Sequence, residues 1–172
     1  DFVQYVMGYW CPRDGRYDNR DNRNSPTQGT DIIGFRFADV DPGDPDDELF
    51  LIESKAGLRP TNKNRLQQAI DGSIKDRVRE AMSLNAIKQR LLRLRPADAL
   101  RVQRFQQEND RPFRRANGAV AVLESDVLDS MNINESTTAH HPNIANLKLV
   151  VIKGVSMMEL VTELYKRAAN EA

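Results

Sequence analysis

The chain has 172 residues, 40% hydrophobic and 29% charged, with a formal net charge of zero. That length fits one domain with an ordinary buried core, and no run approaches the roughly eighteen apolar residues of a membrane span. Cys11 is the only cysteine, which excludes an intramolecular disulfide and a thiolate metal cluster. No secretory leader is expected, and cytosol is the expected compartment. Because the chain opens at Asp1 inside the aromatic-rich segment Phe2–Trp10, it is expected to be part of a longer protein lacking its natural N-terminal portion.

Residues 11–29 are nearly all Arg, Asp, Asn, Gly and Pro, a composition that predicts a loop, with the core in 30–172. Thr30–Ala38 reads as a strand, Asp39–Asp47 as a solvated acidic turn holding Pro42, Gly43 and Pro45, and Glu48–Ala56 as a strand buried on both faces. Leu66, Ile70, Ile74, Val78 and Met82 recur at helical spacing, in a helix that could run through Leu91 and Leu94 to Pro96. A further helix is expected over Ala97–Gln107, a strand over Gly118–Leu123, irregular polar chain over Ser125–Asn146, and a strand over Leu147–Ile152. The last helix is expected to start at a Ser156/Glu159 capping box, with Met157, Leu160, Val161, Leu164 and Ala168 as its apolar stripe. This order implies an α/β fold: a mixed central sheet flanked by helices.

Glu53 and Lys55 stand two apart on a strand and therefore share a face. Phosphodiester hydrolysis needs carboxylates that hold hard cations such as Mg²⁺ or Mn²⁺, and a positive group beside the attacking water; Glu53 suits the first role and Lys55 the second. Asp31 joins them if the hairpin register has an even sum. Centring the turn on Gly43 pairs Asp31 with Lys55, centring it on Pro42 pairs Asp31 with Glu53, and an odd sum puts Asp31 on the opposite face. The bland alternative for Glu53 and Lys55 is a strand end emerging into solvent.

The segments Gly29-Thr-Asp-Ile-Ile-Gly-Phe35, Glu48-Leu-Phe-Leu-Ile-Glu-Ser-Lys-Ala56 and Leu66-Gln-Gln-Ala-Ile-Asp-Gly-Ser73 resemble the PD-(D/E)xK nuclease superfamily, whose core is restriction-endonuclease-like. Asn146–Gly154 and Leu164–Ala169 look more specifically like the nuclease subunit of Hachiman anti-phage defence systems. The resemblance implies a DNA-cleaving effector controlled by a partner helicase, with Asp31 and Glu53 as metal ligands and Lys55 as the catalytic lysine. Thr30 stands where the family pattern has Pro, and no upstream acidic residue can be placed. Some superfamily members use Gln on the following helix, which makes Gln67 a candidate; an exposed helix residue is its alternative.

Basic residues concentrate from Lys75 to Arg115. Arg90, Arg93, Arg101, Arg104, Arg114 and Arg115 are the candidate nucleic-acid contacts, the alternative being a solvated helix face. The acidic block fails an EF-hand pattern. His140 and His141 read as surface or interface residues, Met157 and Met158 as packing, and Trp10 as a core or partner contact. Phe2–Trp10 and Ser125–Asn146 have no evident place in this core and are the expected docking surfaces for a partner. A catalytically silent module for DNA binding or assembly is the rival reading, and cut specificity is not legible.

Overall fold

The computed structural model describes residues 2–12, 30–38, 44–59, 63–74, 77–110, 112–130 and 133–170. Four strands, β1 (Ile32–Arg36), β2 (Glu48–Gly57), β3 (Arg114–Glu124) and β4 (Leu147–Gly154), form one sheet in that spatial order. β1 and β2 are antiparallel, whereas β2, β3 and β4 run parallel. Around the sheet lie α1 (Arg65–Ser73), α2 (Arg77–Leu94), α3 (Pro96–Gln103), α4 (Ser125–Ser130) and α5 (Met157–Asn170). This is the expected α/β mixed sheet with flanking helices, compatible with a restriction-endonuclease-like core.

β2 is central because its run Leu49-Phe-Leu-Ile52 is apolar on both faces, and all four side chains are buried. Leu49 and Leu51 join Ile33 and Phe35 of β1, Leu84, Ile87 and Leu91 of α2, and Val102 and Phe105. Phe50 and Ile52 point the other way, into a cluster with Val3, Tyr9, Ala116 and Val120. Leu66, Ala69 and Ile70 of α1 cover Ala119, Ala121 and Leu123 of β3. Fully burying one such side chain stabilises by about 1.5–3 kcal/mol, so these clusters carry the fold.

Several expectations are corrected. The helix expected from Leu66 onward is two helices, and Ile74 and Met82 of the expected stripe are exposed. Residues strictly four apart advance roughly 40° per step around a helix of 3.6 residues per turn, so such a stripe winds off its face. Buried positions of α2 include Glu80, Leu84, Ile87 and Leu91, spaced four, three and four apart, with Ser83 beside Leu84. Leu160 and Leu164 of α5 are likewise exposed, whereas Met157 is buried. Ser156 takes a φ of +57° instead of the extended backbone of a capping residue, and the Met157 N–H is satisfied by Glu124 Oε2 at 2.7 Å.

The N-terminal segment belongs to the core as well. A helical turn over Phe2–Val6 buries Val3, Tyr9 is 1% exposed against the Phe50 ring, and Trp10 pairs its backbone with Phe35 in both directions at 2.8 Å. Tyr9 lies over Gly34, where an added Cβ would come within 2.8 Å of the Tyr9 Cβ. The expected loop 13–29 and turn residues 39–43 fall outside the described residues. The acidic turn is only partly solvated: Asp47 is fully buried, accepts the Ala38 N–H at 2.7 Å and pairs with Arg104 at 3.1 Å.

Candidate active site

The hairpin register pairs Ile32 with Ile52 and Arg36 with Glu48. Each pair sums to the same even number, one of the two even registers expected; continued by one residue, the register sets Asp31 opposite Glu53. The parallel pairing places Glu53 beside Ala119 and Lys55 beside Ala121. Asp31, Glu53 and Lys55 therefore share the face that α1 and α2 cover. Asp31 is exposed, and its Oδ2 accepts the Ser54 N–H at 2.8 Å. Glu53 is 8% exposed, and its Oε1 accepts a hydrogen bond from the Lys55 ammonium.

Glu53 fits there because α1 passes over it at Gly72. A Cβ on Gly72 would meet the Glu53 Cγ at 2.7 Å and Oε1 at 2.8 Å, so with glycine there the helix passes close over the carboxylate in its present position. Glu53, Gly72 and Ser73 open onto a cleft of about 940 Å³, walled by the end of α1, the start of α2, the first half of β2, the start of β3 and residues between 141 and 148. Thr30 also lines it, whereas Asp31 and Lys55 lie outside its lining. The cleft is charge-balanced: Arg79, Arg114, Arg115 and Lys148 face Glu48, Glu53, Glu80 and Glu108.

Those charges are organised. Arg115 bonds Glu80 through Nε and Nη2 (3.1 and 2.8 Å) and Glu108 through Nη1 and Nη2 (2.8 and 3.3 Å). Burial works to lower the Arg115 pKa, but the bonds to Glu108 and Glu80 outweigh it and raise the pKa. Lys148 reaches the Tyr9 hydroxyl at 2.6 Å and Glu48 at 3.4 Å. The far wall is polar: His141 Nε2 lies 3.2 Å from Ser73 Oγ, the Asn143 N–H donates to His141 Nδ1 at 3.1 Å, and the Asn143 amide donates to Asn117 Oδ1 at 3.0 Å and the Arg115 carbonyl at 2.9 Å. A donor facing Nδ1 requires neutral imidazole, and burial holds the His141 pKa below its ordinary value.

The expected contacts distribute unevenly. Arg114 and Arg115 line the cleft; Arg90, Arg93, Arg101 and Arg104 do not. Arg104 is 1% exposed, pairs with Asp47 and donates to the Asp44 carbonyl at 2.6 Å, so it is part of the core and not of a nucleic-acid surface. Arg101 lies over the Phe37 ring at 3.9 Å. Gln67 is exchanged with Thr137, whose N–H donates to Oε1 at 2.8 Å, and its amide donates to Asp71 at 2.8 Å. Gln67 thus ties residues 133–146 to α1, as do Asn64 with Ser136 and Ser73 with His141. Within the segment expected to be a docking surface, His141, Pro142, Asn143 and Asn146 line the cleft, and His141, expected at the surface or an interface, is 5% exposed.

Sequence reasoning missed Glu80, Asn117, His141 and Asn143. For Glu80 a signal existed: it falls on the stripe Leu84, Ile87, Leu91, and a carboxylate on an apolar helix face needs a buried partner. Among the described residues, no group of three or more His, Cys, Asp or Glu side chains converges as a metal site, and no helix is long and apolar enough to cross a membrane.

Neither a curated protein nor a solved structure matches the chain. The family model HamA matches residues 1–168. The chain therefore belongs to the HamA family, a component of the Hachiman anti-phage defence system.

Proposed function

We propose that the chain is the metal-dependent DNA nuclease of its defence system, hydrolysing phosphodiester bonds under the control of a helicase partner. The observation that carries this reading is the placement of Asp31 opposite Glu53, with Lys55 on the same face and Glu53 buried at a cleft. Two carboxylates on adjacent strands are an oxygen-only donor set that fits Mg²⁺ or Mn²⁺, which commonly takes one or two carboxylates and completes its shell with water and substrate oxygens. Asp31 and Glu53 would hold the cation, while the Ser54 N–H and the Lys55 ammonium donate to the two carboxylates. The bound cation would supply Lewis acidity and an acidified water.

The chain's own groups do the rest. The Lys55 ammonium orients the attacking water and stabilises charge developing on the phosphate. Gly72 allows α1 to fix the Glu53 carboxylate, and burial beneath that helix strengthens the electrostatics of the pair. The test is cleavage of linear and supercoiled DNA with Mg²⁺ or Mn²⁺, with and without the helicase partner. Wild type should cut, and Lys55→Ala and Glu53→Ala should not. A wild-type protein that binds DNA or its partner but never cuts would replace this reading with that of a silent assembly module.

A further inference from the structure

We propose that Arg115 is the seat for a substrate phosphodiester in the cleft, and that Glu108 occupies this seat in the free protein as an internal competitor. The proposal rests on the nuclease reading for the identity of the anion, a DNA backbone. Its geometry comes from the unequal bonds that Arg115 makes.

Arg115 stands at the start of β3, with the Phe113 ring 5.0 Å from its guanidinium carbon. Its two carboxylate partners differ in kind. Glu80, on α2, has a side chain only 8% exposed. Withdrawing Arg115 would leave that carboxylate buried without its cation, so this bond is an anchor. Glu108, on the turn before β3, has a side chain 42% exposed. An ion pair so open to water is worth little, so its loss costs little.

Glu108 takes the Nη1/Nη2 fork, the edge with which arginine grips two oxygens of a carboxylate or a phosphate alike. A phosphodiester carries the same single charge and offers two non-bridging oxygens. Exchanging Glu108 for it keeps the charge around Arg115 constant and leaves the Glu80 anchor in place. The same cleft leads to Glu53, so a backbone gripped here would run toward the proposed reaction centre. Arg114, one residue earlier, repeats the pattern at the cleft, its exposed side chain pairing with exposed Asp46 at 2.6 Å.

The experiment is fluorescence anisotropy of the full chain with a short fluorescein-labelled DNA duplex in EDTA, where cleavage cannot contribute. Glu108→Gln should tighten binding about fivefold, equivalent to about 1 kcal/mol. Glu163→Gln removes the same charge from α5, where the side chain is 63% exposed and outside the cleft; it should change binding less than about twofold. Arg115→Gln should weaken binding at least about fivefold. If Arg115→Gln fails to fold by circular dichroism, the Glu108 arm decides alone, because that side chain is half in solvent. Equal affinities for Glu108→Gln and Glu163→Gln, or wild-type affinity in a folded Arg115→Gln, would overturn the proposal. Metal-supported cleavage is scored separately. No cleavage even with the helicase partner, together with a tightened Glu108→Gln, sinks the nuclease reading alone, whereas cleavage with an unchanged Glu108→Gln sinks the phosphate seat alone.

Discussion

Substituting Gly72 with alanine sets two effects against each other. Within a helix, Gly→Ala ordinarily stabilises by about 0.8–1 kcal/mol through backbone entropy. Here the new methyl would sit 2.7 Å from the Glu53 Cγ, 2.8 Å from Oε1 and 3.0 Å from Cδ. Carbon atoms pack best at about 3.5–4.0 Å, so Glu53 would have to retreat by about an ångström. Overpacking of this kind costs about 1–3 kcal/mol when backbone must move. A side chain gives more cheaply, so we expect Gly72→Ala to be destabilised by only about 0–2 kcal/mol in urea melts. The proposed metal site should suffer far more, because ligand distances hold to about 0.2 Å and a retreat of about an ångström exceeds that several-fold. Isothermal titration with Mn²⁺ alongside DNA cleavage reads the second effect. A variant about 1 kcal/mol more stable than wild type, with unchanged Mn²⁺ affinity and cleavage, would show that the close approach of α1 does not set the position of Glu53.

Lys55→Ala should abolish cleavage; with the ammonium about a third exposed, the variant should lose only about 1 kcal/mol of stability, and Glu53→Gln in the same chain should recover it, both read from urea midpoints. Arg104→Ala should cost about 3–5 kcal/mol by leaving Asp47 buried without its cation, whereas Arg93→Ala on the exposed face of α2 should stay within about 0.5 kcal/mol. A smaller loss for Arg104→Ala than for Arg93→Ala would refute the core assignment. His141 has a folded pKa below the unfolded value of 6.5, so the unfolded chain binds the proton more readily. Its contribution is complete above that value and is lost as pH falls below it. The melting temperature should therefore rise between about pH 5 and about pH 7, and His141→Asn should flatten that rise.

The hairpin and the double-faced β2 were legible because Leu49-Phe-Leu-Ile52 leaves no polar face for solvent. Parity put Asp31, Glu53 and Lys55 together under either even register; the choice between them was not legible, since Pro42 and Gly43 are both plausible turn centres. Helix α2 was legible as a helix but not in its facing, because Ile74 and Met82 imitate a stripe that Glu80 and Ser83 share with Leu84, Ile87 and Leu91. Strand β3 begins four residues before the expected Gly118, as Arg114 and Arg115 look like loop until Glu80, Glu108 and Asp46 are brought to them. His141 and Asn143 were illegible for the same reason. Their partners Ser73, Arg115 and Asn117 are distant in sequence, and spacing carries no trace of such bonds.

The polar groups that sequence patterning misplaced share a location. Glu80 with Arg115, Asn117 with Asn143 and His141 with Ser73 all stand in the walls of the cleft that holds Glu53. Well-packed apolar replacements for such pairs are often neutral or stabilising, so stability alone does not account for them. What a connected polar wall does, and an apolar one does not, is fix donors and acceptors in direction as well as place. The equal numbers of cations and carboxylates lining this cleft leave it without net charge in the free protein. On the proposed function, a divalent cation at Glu53, or release of Glu108 from Arg115, would tip that balance positive at the point where a phosphate would enter. Each would then raise the affinity for DNA above that of the free protein.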